Sequence, residues 1–283
     1  MKKFCHQNLI RSALGLILAF YFSFSHAEAP ATYTFSVIPQ FKLAQLQKEW
    51  TPVLKRISQE TGIQLQLKLQ STLQKFDAEV SKGAMDFAYF NPYQMLVAQK
   101  SKGYIPMLRD KKSLHGILVV RKDGPYKSIK DLDGQTIGFP APNSFGASLY
   151  IRAVLSEEHP IKFTPRYLVN HNLVFCQVAR GLVAAGGSVN AALSDESEEI
   201  REQLVVLYKT PDVPSHPIAV HPRVPEQVRK SVMNSLLGMQ KDEEGRAMLK
   251  EIRMPNLIDT DFQKDYLPLK KLHFEKYVVQ ETE

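Results

Sequence analysis

The amino-acid sequence predicts an α/β protein of two modules, each an open mixed sheet flanked by helices, with the second module inserted in the first. Three observations carry this reading. Segments that alternate like strands and segments spaced like helices follow one another in a βαβα rhythm over residues 33–103, the pattern of parallel strands covered by helices. A second series begins after the unbroken apolar run 116–120 and ends in a proline-rich stretch at 211–217. A strand at 218–220 then returns, and only helices are expected after it. With 283 residues the chain suffices for one or two domains, and 44% apolar with 23% charged residues suits a globular protein.

The first series opens with a strand over 33–38 that stops at Pro39 and Gln40. Leu46, Trp50, Val53, Leu54 and Ile57 recur at helical spacing over 43–60, where Pro52 predicts a kink or a fresh start and Gly62 the end. Strict alternation marks a strand over 64–69, helical spacing a helix over 73–82, and an aromatic-rich run a strand over 86–90; Pro92 opens a helix lasting to Gly103. In the second series, strands are expected over 136–139, 166–169, 190–193 and 204–208, with helices over 144–157, 172–184 and 198–203. The glycine-rich stretch 184–188 follows a helix and precedes a strand, so it reads as a helix end and turn and not as a phosphate loop. Helices over 225–239 and 242–252 and a tail from Phe262 complete the chain. The expected division is therefore residues 1–27 as a leader, 28–120 with 217–283 as the first lobe, and 121–216 as the second.

The leader is read from Lys2, Lys3 and Arg11 before an apolar run at 13–22, with small Ser25 and Ala27 where a signal peptidase cuts. Cleavage after Ala27 is expected; the alternative, an uncleaved anchor, would need a span of about 20 residues. Cys5 lies before the apolar run, so no lipid anchor is implied. Without the leader, 33 Lys+Arg stand against 29 Asp+Glu. So mild an excess, with no basic block, argues against nucleic acid. Cys176 is then the one remaining cysteine, which excludes an internal disulfide and reads as a buried thiol.

The stretch 135–152 holds the first candidate site. A short strand, two prolines and a helix that Asn143 or Ser144 can cap leave first-turn N–H groups beside Gly146 and Ala147, unshielded by large side chains. Such a turn, at the positive end of the aligned peptide dipoles, can hold a small oxyanion. On its own it can also be an ordinary strand-to-helix connection satisfied by its cap and by water.

Several runs together resemble a known family: Leu118 to Pro125, Ser128 to Phe139 and Pro142 to Ser144, with Trp50 to Leu54, Glu60 to Gly62, Met85 to Pro92, the isolated His171, and Asp242 to Lys250. Taken in their order along the chain, they are similar to the phosphate/phosphite/phosphonate-binding proteins of ABC importers. The resemblance implies a two-lobed periplasmic binding fold (type II) that closes on its ligand, a periplasmic location, and no cofactor. Family members usually carry Pro-x-Ser-Thr-Ser-Gly at the helix start, whereas this chain reads Pro142-Asn143-Ser144-Phe145-Gly146-Ala147. Two hydroxyl donors are lost, each worth roughly 1.5–3 kcal/mol toward a charged oxygen. Phosphonate affinity should fall, while the backbone donors remain.

The resemblance also places His171 in the cleft, although a lone histidine there could equally be a strand-end or capping residue. Ser194 and Asp195 are expected to end the next strand and face the same crevice, Asp195 serving equally well as a helix cap. From the first lobe Tyr89 and Asn91 are favoured over Phe90 as contacts, because alternation turns Tyr89 and Phe90 to opposite faces. Gln40 is a lip residue, and His115 touches ligand or packs the hinge. The expected ligand set is thus Asn143, Ser144, Phe145, Gly146, Ala147, His171, Tyr89, Asn91, Gln40 and Ser194. No metal-ligand spacing, Walker loop or nucleophile elbow occurs, so no enzyme is expected; the resemblance implies a solute-binding protein, expected to be a monomer, that serves an ABC permease. The alternative is a ligand sensor reporting to a membrane kinase.

Overall fold

A computed structural model describes residues 31–279; the expected leader lies outside the described residues. The first series forms β1 (Thr32–Val37), α1 (Leu43–Thr61), β2 (Gln64–Leu69), α2 (Leu73–Lys82), β3 (Phe87–Tyr89), α3 (Pro92–Lys102) and β4 (Ile105–Asp110). The second forms β5 (Gly116–Arg121), β6 (Thr136–Phe139), α4 (Tyr150–Glu157), β7 (Thr164–Tyr167), α5 (His171–Ala179), β8 (Ala185–Val189), α6 (Asn190–Ser194), α7 (Glu198–Glu202) and β9 (Leu204–Lys209). The return consists of β10 (Pro217–Val220), α8 (Glu226–Gly238), α9 (Glu243–Glu251) and β11 (Leu257–Asp259).

The first sheet has the order β11-β4-β10-β3-β1-β2. β1 runs parallel to β2 and β3, while β10 lies antiparallel to both β3 and β4. The carboxyl ends of β1, β2, β3 and β4 therefore share one edge. β4 and β11 were not expected. Pro106 interrupts the apolar pattern of β4, and the sheet admits it because the register shifts between Ile218 and Ala219, opposite it. α1 passes through Pro52 as one helix, with its apolar stripe from Leu46 to Ile57 buried and Pro52 on the exposed face. The carbonyl left without a donor, that of Lys48, belongs to an exposed residue.

The second sheet has the order β7-β6-β8-β5-β9, and β5 pairs with β8 and β9. The boundary expected at residue 120 thus falls inside a strand of the second sheet. The glycine-rich stretch read as a turn is β8, at the centre of this sheet, and the strand expected over 190–193 is the short helix α6. The reason is packing. A Cβ on Gly186 would lie 2.5 Å from Val174 Cγ1 and 2.8 Å from Val178 Cγ2 of α5, and one on Gly187 would lie 2.4 Å from the carbonyl oxygen of Ala147. Helical segments press on both faces of β8, and any larger residue would push them off the sheet.

Two crossings, 111–115 and 210–216, join the end of β4 to the start of β5 and the end of β9 to the start of β10. They pair with each other through Leu114 N–H to Val213 O (2.8 Å) and Val213 N–H to Leu114 O (2.9 Å). Both crossings run between the edge of the first sheet that carries the ends of β1 to β4 and the edge of the second that carries the ends of β6, β7 and β8. Those two edges face each other, the place where open α/β sheets hold ligands.

The last described segment, residues 267–279, spans both lobes. Leu269, Leu272 and Phe274 are buried, Lys276 and Tyr277 both bond Glu157 of α4 (2.9 and 2.8 Å), and the first lobe's core continues into the second through Phe145, Leu149 and Tyr150.

Candidate functional site

On the second lobe, β6 ends at Phe139 and the chain passes Pro140 and Pro142 into a π-helical turn, Phe145–Leu149, that continues as α4. The carbonyl of Ser144 accepts from the N–H of Ser148 (2.9 Å) and Leu149 (3.0 Å). Among the described residues, the N–H groups of Phe145, Gly146 and Ala147 have no acceptor.

Neither expected cap is in place. The Ser144 hydroxyl makes no capping bond. The Asn143 side chain instead pairs with the backbone of Val279, donating to its carbonyl (2.9 Å) and accepting from its N–H (3.0 Å), so the C-terminal segment has taken this amide. Gly146 and Ser144 are partly exposed and Ala147 is buried. The turn lies close against the sheet: a Cβ on Gly116 would be 2.2 Å from the Gly146 carbonyl oxygen.

Phe145 differs from expectation in what its side chain does. It is 4% exposed, stacks on Tyr150 (5.8 Å between centroids) and meets Phe274 edge-on (5.4 Å), which in turn meets Tyr93 of α3 (5.9 Å). The ring is therefore a wedge in an aromatic cluster joining the lobes, and only its backbone can serve a ligand. Ser194 is corrected too. It is exposed on α6, five residues beyond the end of β8, with its hydroxyl bonded to the Asn190 carbonyl (3.0 Å).

His171 begins α5, just after the Asn170 cap, and its Nδ1 is 2.7 Å from the hydroxyl oxygen of Ser188 on β8. Ser188 is fully buried, and among the described residues this is its hydroxyl's one partner. A buried hydroxyl donates its proton, so Nδ1 accepts and Nε2 carries the ring's N–H. Burial lowers the His171 pKa and keeps the ring neutral near pH 7. A neutral imidazole with Nε2–H is a donor to an oxyanion. Ser188 was missed because its strand was read as a turn.

Nearer the crossings, His115 (3.3 Å) and Lys209 (3.1 Å) both approach Asp212. Beneath the 140–149 segment lies Arg152, 6% exposed, whose Nε donates to the Ser148 hydroxyl (3.2 Å) and whose Nη2 donates to the Pro142 carbonyl. The sequence offered one sign of it, a lone cation inside the apolar run from Leu149 to Leu155.

On the first lobe, Tyr89 ends β3 with its ring between Trp50 (5.1 Å) and His216 (5.4 Å, nearly parallel). Among the described residues its hydroxyl has no hydrogen-bond partner, and burial raises its pKa. His216, on the second crossing, was not singled out by sequence. Desolvation pushes it down to about 4. Asn91 is 2% exposed and caps α3: its side-chain oxygen accepts from Gln94 N–H (2.8 Å) while the Gln94 side chain accepts from Asn91 N–H (3.3 Å). That reciprocal box consumes its acceptor. Gln40 is exposed at the bend after β1. Nearby, burial pushes Asp77, bonded by the Gln94 amide (2.9 Å), up to about 6.

Comparison with known proteins gives the arrangement a family. Residues 35–266 match the family model described as ABC transporter, phosphonate, periplasmic substrate-binding protein. The phosphate-import protein PhnD of Mycolicibacterium smegmatis is 23% identical over 203 residues, covering 64% of this chain and 63% of that protein's length. Among solved structures, a binding protein component of an ABC phosphonate transporter from Pseudomonas aeruginosa superposes with a TM-score of 0.70 at 17% identity, covering 87% of this chain and 86% of that one. PhnD1 of Prochlorococcus marinus, solved with methylphosphonate, gives 0.73 at 14% identity over 87% and 98% of the two chains. At such identities the structures speak for the fold. The family model covers most of the chain, and the protein belongs to the periplasmic substrate-binding proteins of phosphonate ABC transporters.

Proposed function

We propose that this protein captures a small oxyanion of the phosphate or phosphonate type between its lobes and delivers it to the permease of an ABC importer. The observation that carries the reading is the set of N–H groups on Phe145, Gly146 and Ala147, without acceptors among the described residues and at the start of a helical segment. Such donors complement two or three oxygens of a tetrahedral anion. His171 Nε2–H and the Ser144 hydroxyl extend the donor set from the second lobe. Tyr89 and, at the lip, Gln40 face it from the first. Of the expected set, Asn143 and Phe145 contribute backbone alone, Asn91 at most its amide N–H, and Ser194 nothing.

Closure of two lobes on a ligand creates a surface that a membrane partner can read. The test is a thermal-shift and calorimetry series on the protein from residue 28, with phosphate, phosphite, methylphosphonate and sulfate. At least one of the phosphorus oxyanions raises the melting temperature. Ser144→Trp, at a partly exposed position, abolishes that rise and leaves the unliganded melting temperature nearly unchanged. A wild-type protein indifferent to all four, or a Ser144→Trp variant that responds in full, overturns the reading.

A further inference from the structure

Among the described residues, Arg152 is buried without a counter-ion. Arg56 faces Asp242 and Glu60, Arg109 faces Asp265, Arg223 faces Asp86 and Arg253 faces Glu49, whereas no carboxylate among the described residues lies within ion-pair distance of Arg152. Its neighbours are neutral: the Ser148 hydroxyl, the Pro142 carbonyl and the Tyr167 ring, 5.8 Å from the guanidinium carbon. Burying an unpaired cation costs several kcal/mol unless something offsets it. Both hydrogen bonds it makes go to the segment that carries the free N–H groups, so the charge stands directly behind the site proposed above.

Resting on that reading, we propose that Arg152 is the fixed countercharge of the oxyanion site. It is a positioning residue that holds the 142–148 segment and attracts the ligand through it, tuning the site toward doubly charged anions. The two lost hydroxyl donors of the altered motif are then offset by charge. Desolvation disfavours the charged guanidinium, and the attraction of an arriving anion offsets that penalty.

The experiment compares wild type with Arg152→Lys, Arg152→Gln and Tyr167→Glu. The last puts a carboxylate beside the guanidinium and neutralises it in place, which keeps the test open should Arg152→Gln fail to fold. Dissociation constants for phosphate and methylphosphonate are measured by calorimetry from pH 5.5 to 8.5, with the unliganded melting temperature of each protein. At pH 8, Arg152→Gln and Tyr167→Glu weaken binding on the order of 10- to 100-fold, and Arg152→Lys stays within about 3-fold of wild type. The gain in affinity as the ligand takes its second charge also flattens in the two neutralised proteins, a change that a purely structural brace would not produce. Equal losses in Arg152→Lys and Arg152→Gln, or an unchanged pH profile, overturn the countercharge. Failure of the wild type to bind either anion overturns the functional reading itself.

Discussion

Replacing Phe145 separates what its side chain does from what its backbone does. The ring is 4% exposed and packed between Tyr150 and Phe274, with Tyr93 on the far side of Phe274. Truncating such a phenylalanine to alanine removes its transfer free energy and leaves a cavity, about 3–5 kcal/mol together. For a protein of this size each kcal/mol moves the midpoint by about 2–4 °C, so Phe145→Ala should melt roughly 6–20 °C below wild type. Because the cluster links α3 of the first lobe, the C-terminal segment and α4 of the second, the same substitution should also loosen the lobes and raise the radius of gyration of the unliganded protein in X-ray scattering. Phe145→Thr, which restores the hydroxyl usual in the family, suffers the same loss of packing, and its hydroxyl enters the aromatic cluster instead of the socket. Calorimetric melts and phosphonate titrations of the two variants decide. An unshifted midpoint, or a Phe145→Thr protein that binds methylphosphonate more tightly at wild-type stability, would show that the ring does not hold the lobes together.

Three other outcomes follow from the geometry. Ser188→Ala removes the donor that fixes the His171 tautomer, so phosphate affinity should drop roughly 2- to 10-fold with little change in maximal heat; equal affinity in titration calorimetry would contradict the assigned tautomer. For His216 the folded-state pKa of about 4 lies below the ordinary 6.5, so the stability it confers is full above pH 6.5 and is lost as pH falls toward 4; the stability of His216→Gln in urea should therefore fall less steeply than wild type over that window. Asp77 runs the other way, because its folded value of about 6 exceeds 3.8: the charged form opposes folding above pH 6, and Asp77→Asn, which still accepts from Gln94, should gain about 1–3 kcal/mol at pH 8 and lose that gain near pH 4, read from urea melts.

Where periodicity alone decides structure, the sequence was readable. The stripe from Leu46 to Ile57 and the alternation of 64–69 name their elements before any neighbour is known. β8 is the opposite case: Gly186 and Gly187 have poor strand propensity, and what makes them a strand is the pressure of Val174, Val178 and the Ala147 carbonyl from either side. β4 hid behind Pro106, whose place depends on a register shift in a strand more than a hundred residues away. The site divides along the same line. Backbone donors near Gly146 could be read from a strand-proline-helix pattern. The capture of Asn143 by Val279, the stacking of His216 on Tyr89 and the isolation of Arg152 are relations between distant segments, and no local pattern encodes them.

The changed residues at the helix start fit together once the aromatic cluster and the buried cation are considered jointly. A hydroxyl side chain at position 145, the kind usual in the family, would leave the junction between Phe274 and Tyr150 unfilled. A phenylalanine fills that junction and gives up the donor. With Phe145 turned away and Gly146 in place of a hydroxyl, the socket is left with main-chain N–H groups, Ser144 and His171, none of them formally charged near pH 7. Neutral donors alone carry no net charge to answer the second charge of a doubly ionised tetrahedral anion, so they favour it over the singly charged form less than a nearby cation does. On the proposal above, the guanidinium beneath the segment, unpaired among the described residues, would supply the missing discrimination from behind the main chain, without itself reaching into the cleft.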